Sequence, residues 1–507
     1  MDKDLVIGID SSTSATKATL WDRDGAFIGE GRVGIEMTNP MPGRFEQDAT
    51  EWWASTAGAL RQVTEQVDPA RIAAVSISNQ RETFALFDEA GEPTGKGTVW
   101  LDERAVAECA ALTDAVGADE IREICGKPVD VILPINRMMW LRQNSPEAWN
   151  AARHYADVHC YLAYQLTGRW VTSTASADPS GMLDLAAGRW SQRLLEQAGV
   201  PLALMPELVK PGEVMGAVHD DAASATGLLA GTPLIAGGGD GQCAATGAGA
   251  VMPSHAYMNL GTAAVAGVYA PLYATDQAFR TETAVSDTGY IFETVLKSGT
   301  FLIDWFAREL GGAREAPIGD VLKTLEAEAA TSPIGAGGVV MLPFLQGSMT
   351  PHWDFKARGI LAGLSGFTKR GDIYRALLEG IALDQAYALD KAMASIGGHI
   401  ETVTAIGGGS ASTLFLQIIA DAMNVPVTRA AVVEASALGA AMCAAKGAGW
   451  YPTIEAATKA MGQEVLTEIT PQPEAVARYS ALRAIYDDLW PTLSQWNTRL
   501  WDFANAP

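Results

Sequence analysis

One design appears twice in this chain, roughly 250 residues apart. In the first copy the β-rich run Leu5-Val6-Ile7-Gly8-Ile9 gives way to the polar cluster Asp10-Ser11-Ser12-Thr13-Ser14, and a second apolar run follows through Ala18-Thr19-Leu20-Trp21. In the second, Tyr257-Met258-Asn259-Leu260 leads into Gly261-Thr262 and out through Ala263 to Tyr269. Strand, small polar turn and strand read as a β-hairpin each time. A hairpin that returns predicts a duplicated domain. A chain of 507 residues also exceeds what one core organises, so two large domains are expected, 1–250 and 251–507.

Between the hairpins the pattern predicts a helix over Glu51 to Val67, a strand over Ile72 to Ser78 and mostly helix from Pro146 to Thr167. Thr232 to Asp240 reads as a strand that breaks in glycines, with a helix starting near Gln242. The second half continues with helices over Thr300 to Leu310 and Ile373 to Ser395. A strand over Thr402 to Ile406, the turn Gly407-Gly408-Gly409 and a helix over Leu414 to Asn424 follow. Glu474 to Leu500 is expected to be one terminal helix interrupted near Pro491. Gly335 to Gly338 reads as a loop. The alternation places the chain in the α/β class.

A net charge of -23 argues against nucleic acid or an anionic membrane as a partner, since both would be repelled at long range. It leaves room for a nucleotide, whose phosphates a few backbone N–H groups, a helix N-terminus, one Lys and a divalent cation can hold. The five cysteines and six histidines form no metal-ligand spacing. No apolar run approaches the ~20 residues of a membrane span, and a cytoplasmic enzyme is expected.

Four segments have residue types suited to chemistry. The Asp10 to Ser14 turn offers N–H groups and hydroxyls, with Lys17 close behind, a composition that suits a polyphosphate, and Asp10 is a candidate Mg²⁺ ligand. Asp240, at the junction of a glycine-lined strand and a helix, is placed either to cap the helix or to take a proton from a hydroxyl. Asn79-Gln80-Arg81-Glu82-Thr83 and Val99-Trp100-Leu101-Asp102-Glu103-Arg104 supply donors, acceptors and a flat apolar wall for a polyhydroxylated molecule. A surface salt-bridge cluster has the same composition.

Taken in order, these motifs resemble the FGGY carbohydrate kinases, the family of glycerol kinase, xylulokinase, ribulokinase and gluconate kinase. Ile7-Gly8-Ile9-Asp10 with Thr13 is similar to the first phosphate hairpin, Gly239-Asp240 to the catalytic segment, Gly261-Thr262 to the second phosphate hairpin and Gly407-Gly408-Gly409 to the adenosine turn. Pro134 with Arg137 to Leu141 matches a further family pattern, in which Lys usually stands at the position of Arg137. The resemblance implies two actin-like (ribonuclease H-like) domains around a cleft, with ATP and Mg²⁺ as cofactors. Asp240 would be the general base, and Asp10 would help place the metal. Ser12, Thr13, Lys17, Gly261, Thr262, Thr300, Asp304, Gly408, Gly409 and Thr413 would lie along ATP. Gln80, Arg81, Glu82 and Trp100 would line the sugar site with Asp240. A homodimer is one assembly compatible with the sequence, which does not fix the oligomeric state.

The family offers two candidate substrates. Gln80-Arg81-Glu82-Thr83 is similar to glycerol kinase, but Ile132 stands where that enzyme places a substrate-contacting Tyr. Asp178 to Asp184, Leu302 to Trp305 and Gly347 to His352 look more like xylulokinase, although Ser348-Met349 replaces its usual Glu-Arg. The expectation is therefore a ketopentose such as xylulose, with glycerol or another short polyol as the alternative. An actin-like nucleotide switch is a reading of another class, for which a sugar pocket would have no use. Ser12 also departs from the family, which commonly has Gly there, and should tighten the first turn.

Overall fold

The computed structural model describes residues 3–314, 316–431, 434–462 and 465–505. Two large sheets organise it. The first is built from β1 (Leu5–Ser11), β2 (Ala15–Asp22), β3 (Phe27–Gly34), β4 (Ile72–Asn79), β5 (Val214–Ala217) and β6 (Pro233–Gly239), in the order β5-β6-β4-β1-β2-β3. The second contains β7 (His255–Leu260), β8 (Ala264–Ala270), β9 (Arg280–Thr283), β10 (Tyr290–Leu296), β11 (Thr402–Ile406), β12 (Val427–Ala430) and β13 (Val465–Ile469), in the order β9-β10-β8-β7-β11-β12-β13.

The two sheets share one topology. In the first, β3, β2 and β1 run antiparallel, β4 and β6 add in parallel, and β5 closes the edge antiparallel. In the second, β10, β8 and β7 repeat the antiparallel trio, β11 and β12 add in parallel, and β13 closes the edge antiparallel. The additional strand β9 lies outside β10. The hairpins read from the sequence are therefore the equivalent pairs β1–β2 and β7–β8, and the two-domain actin-like fold is the observed one.

Central strands of such sheets are covered on both faces, so they read as unbroken apolar runs. Leu5, Val6, Ile7 and Ile9 are accordingly all buried. The halves meet where α2 (Asp240–Gly247) crosses α6 (Ala435–Gly447) at glycines. A methyl on Gly439 would stand 1.9 Å from the Cys243 carbonyl oxygen, and one on Gly247 would stand 2.1 Å from that of Ala435. Gly8 is equally constrained, 1.8 Å from the Ala437 carbonyl, so β1, α2 and α6 meet backbone to backbone.

Most expected elements fall within a few residues of their expected bounds. α1 spans Ala49–Thr64, started by Asp48, whose side chain accepts from the Thr50 N–H. The remaining helices near the site are α3 (Thr300–Glu309), α4 (Arg370–Ala394) and α5 (Thr413–Met423). The stretch from Pro146 to Thr167 departs most, because a strand, His154–Asp157, splits it into two helices. The C-terminal segment is also two helices, Pro473–Tyr486 and Leu489–Ala504, and the break falls at Asp487 and Asp488. Pro491 lies inside the first turn of the second helix, where its missing N–H costs nothing. The Gly335 loop closes as the short 3-10 turn Ala336–Gly338.

A smaller sheet, in the order Thr38–Met41, Arg44–Gln47, Gly97–Thr98, Phe84–Phe87 and His154–Asp157, flanks the first hairpin. Among the described residues no helix is long and apolar enough to cross a membrane.

Candidate active site

The chemistry-bearing residues gather where the ends of β1, β4 and β6 meet α2. β6 ends in three glycines, and packing explains two of them: a methyl on Gly238 would press on Val285 and Ala175 at 2.7 and 2.8 Å, and one on Gly237 would meet the Ile77 carbonyl at 2.1 Å. Asp240 follows as the first residue of α2. The helix is capped by Gly239 rather than by Asp240, so the carboxylate is free of the capping role the sequence allowed. Its Oδ1 accepts from the Gly241 N–H at 2.8 Å and from Arg81 Nε at 3.1 Å.

Asp240 keeps 42% of its side chain exposed, whereas its partner Arg81 keeps 11%. Burial in the cleft pushes the Asp240 carboxyl upward, and the Arg81 charge and the Gly241 N–H pull it back. A carboxylate that is open on one side and oriented by two donors on the other has the geometry of a proton acceptor.

Asp10, at the end of β1, accepts from Ser78 Oγ at 3.1 Å. Burial and then the charge of Asp240 push it up to about 7, against the pull of Lys17. Lys17 itself is given to the other half of the molecule, donating to both Glu434 oxygens at 2.7 Å. Two carboxylates thus crowd one end of the cleft with too little positive charge. That surplus fits a divalent cation. Among the described residues there is no group of three or more His, Cys, Asp or Glu placed to hold a metal ion.

The first hairpin turn is closed internally. Ser12 spends both its N–H and its hydroxyl on the Ala15 carbonyl, at 3.0 and 2.8 Å, so its side chain serves the turn. Thr13 accepts from the Trp100 indole at 3.0 Å, which brings the expected phosphate and sugar walls together. Gln80 is nearly fully buried, and its amide is taken by Gln47 and Thr83; it stands behind the cleft.

A second group forms around β7, α3 and α5. The Gly261 and Thr262 carbonyls accept from the Thr300 and Phe301 N–H groups at 2.8 and 3.2 Å, docking the second hairpin tip on the first turn of α3. A methyl on Gly409 would meet Leu260 Cβ at 2.9 Å and Thr300 Cγ2 at 3.2 Å, while one on Gly408 would meet nothing within 4 Å. Asp304 lies one turn beyond Thr300, partly buried, and Thr413 is exposed at the start of α5. The two groups are joined by the Lys17–Glu434 pair and by Ser436 Oγ, which donates to the Asp240 carbonyl at 3.1 Å.

Sequence reasoning missed the buried ion network behind Asp240. Arg81 pairs with Glu293 at 2.8 Å and Glu282 at 3.6 Å, Arg280 pairs with Glu82 and Glu282, and Lys127 reaches Glu282 at 3.0 Å. Burial works against the Arg81 charge, but Glu293, Asp240 and Glu282 outweigh it and hold it protonated. Arg81 and Glu82 come from the first sheet's side, and their partners Glu282, Glu293 and Arg280 come from β9 and β10. A carboxylate in the middle of an apolar strand, as in Tyr290-Ile291-Phe292-Glu293-Thr294-Val295-Leu296, is the signal that marked Glu293.

Comparison with known proteins follows this geometry. The family model described as "FGGY family of carbohydrate kinases, N-terminal domain" matches residues 5–247, and its C-terminal counterpart matches residues 256–448. A xylulose kinase of Bacillus subtilis is 28% identical over 98% of this chain and 99% of its own length. A glycerol kinase of Aromatoleum aromaticum is 32% identical over 89% of this chain and 91% of its own. The crystal structure of xylulose kinase from Rhodospirillum rubrum superposes with a TM-score of 0.91 at 27% identity, covering 97% of this chain and 99% of that one.

Proposed function

Because the chain belongs to the FGGY family of carbohydrate kinases, we propose that it transfers the γ-phosphoryl group of ATP to a hydroxyl of a ketopentose such as xylulose. The observation that carries the chemistry is Asp240, half open to the cleft and held from behind by Arg81 and the Gly241 N–H. Xylulose kinases among the similar proteins support the substrate. Glycerol is the second reading, favoured by the Arg81-Glu82 pair and by a glycerol kinase at 32% identity.

Residues 1–250 form the sugar-binding and catalytic half, and residues 251–507 the nucleotide-binding half. The Asp10 turn, Thr13 and the Gly261-Thr262 tip face the phosphates, and the open side of Gly408 faces the nucleoside. Mg²⁺, bound by Asp10 with the phosphates, would neutralise charge that builds during transfer. Phosphoryl transfer asks mainly for positioning and for charge stabilisation. Asp240 accepts the proton of the attacking hydroxyl as its oxygen bonds to phosphorus. Arg81 and the Gly241 N–H orient that carboxylate, and Trp100 supplies an apolar wall. Two lobes around the cleft keep water from competing for the phosphoryl group.

ATP consumption measured against a panel of ketoses, polyols and sugar acids tests the assignment. Xylulose or another ketopentose is expected to give the highest kcat/KM. A best substrate that is an aldohexose would overturn the substrate assignment.

A further inference from the structure

A closed ring of hydrogen bonds ties the phosphate turn to the sugar loop. Trp100 Nε1 donates to Thr13 Oγ1 (3.0 Å), Gln47 Nε2 donates to the Thr13 carbonyl (2.7 Å), and Gln80 Nε2 donates to Gln47 Oε1 (3.0 Å). Thr83 Oγ1 donates to Gln80 Oε1 (3.1 Å), and the Trp100 backbone N–H closes the ring on Thr83 Oγ1 (3.2 Å). Trp52 Nε1 braces it from α1, donating to Gln47 Oε1 at 3.0 Å.

The direction of each bond is forced. An indole N–H only donates and a carbonyl only accepts. The Gln47 nitrogen must therefore face Thr13, and its oxygen must face Trp52 and Gln80. Thr13 Oγ1 accepts from Trp100, so the hydroxyl keeps its own proton for a partner outside the ring. Gln47, Gln80 and Thr83 are each 1% exposed, so water cannot replace a lost member. Gln47 is also rigidly placed, as the last residue of a strand and the residue before the Asp48 cap of α1.

Gln80 and Thr83 flank Arg81 and Glu82. The ring therefore fastens both ends of the Arg81-Glu82 segment, and with it the partner of Asp240, to the Thr13 turn. We propose that Gln47 is a positioning residue for phosphoryl transfer: it holds the sugar loop and the phosphate turn in one register and presents the Thr13 hydroxyl, proton outward, to the nucleotide. This rests on Thr13 facing the ATP phosphates, as proposed above.

The test uses Gln47→Met, Thr83→Val and the double variant, each close in volume to the parent side chain and each deleting ring bonds. Steady-state kinetics are run with Mg²⁺·ATP and whichever of D-xylulose and glycerol the parent enzyme phosphorylates faster, and the folded fraction is read by thermal denaturation. Each single variant is expected to lose tenfold or more in kcat per folded enzyme, with both KM values within about threefold of the parent. The double variant should lose no more than the worse single, because both break one ring. Parent-like kcat in either folded single variant, or losses that multiply in the double, would overturn the proposal. Thr83→Val decides alone should Gln47→Met not fold. Asp240→Asn measured alongside separates the two readings. If it is inactive while Gln47→Met turns over normally, only the ring is wrong. If it is active, the assignment of the base is wrong whatever Gln47→Met does.

Discussion

Arg81 donates through Nε to Asp240 at 3.1 Å, and the same guanidinium reaches across to Glu293 through Nη1 at 3.0 Å. One cation from the first half therefore serves three carboxylates, an exposed one on its own side and two buried ones, Glu293 on β10 and Glu282 on β9. Removing Arg81 should do two separable things. Arg81→Met leaves Glu293 buried without its nearest cation, a loss of about 3 kcal/mol or more in stability. It also removes the charge that holds the Asp240 carboxyl down, so that carboxyl titrates higher. A general base works in its deprotonated form, so the acid limb of the kcat profile should move to higher pH. Glu82, which acts upward on Asp240, and the Gly241 N–H, which acts downward, both remain in the variant. A pH–rate profile of the variant checks the sign, and an unmoved limb would separate Arg81 from the base.

Glu434 holds Lys17, the residue that the family resemblance places along ATP. Both Glu434 oxygens lie 2.7 Å from Nζ, and the pair is about four-fifths buried. Glu434→Gln should free the ammonium for the phosphates and lower the KM for ATP several-fold, whereas Lys17→Met should raise it. Initial rates over an ATP series decide the matter; a raised KM in Glu434→Gln would make the pair a structural latch instead.

Gly408 and Gly409 are neighbours with different reasons for being glycine. Gly408 opens onto free space, and Gly409 is pressed by Leu260 and Thr300. Gly408→Val is expected to fold normally and weaken a non-hydrolysable ATP analogue about tenfold or more by calorimetry, with sugar affinity kept. Gly409→Val is expected to lower the melting temperature first. Equal nucleotide affinity in folded Gly408→Val would return this turn to packing.

Much of this was legible in the residues themselves. The paired hairpins announced the duplicated topology because a strand–polar turn–strand pattern is local, and β1–β2 and β7–β8 form where that pattern lies. Asp240 and Arg81 were both marked, since a carboxylate after a glycine-lined strand and an Arg-Glu pair after another strand are unusual in sequence. Their contact was not marked, because it joins residues 159 positions apart. Gln47 was missed for the same reason: an isolated Gln at a strand end has no pattern, and its role comes from Thr13, Trp52 and Gln80 converging on it. Gln80 was placed on the sugar wall from its position beside Arg81, yet a strand end sends successive side chains to opposite sides, and its amide points back to Gln47.

Asp384 is an acid buried in α4 with no hydrogen-bond partner for its Oδ2. Burial alone pushes it up to about 8 from the ordinary 3.8. Between those values the folded chain holds a proton that the unfolded chain has released, so stability falls as pH rises from about 4 to about 8. Asp384→Asn cannot ionise and should lose that slope. Denaturation midpoints near pH 5 and near pH 8 compare the two proteins, and the parent should fall further than the variant. An equal fall in both would mean Asp384 has a partner in solution.

The kinetics of Asp240→Asn test the central claim most directly. The amide keeps the shape and the Gly241 contact but cannot take a proton. Sugar phosphorylation should fall by about 10²- to 10⁴-fold, while calorimetry shows ATP bound as in the parent. Near-parental turnover by the purified variant would contradict Asp240 as the base and with it the mechanism built around Arg81 and the cleft.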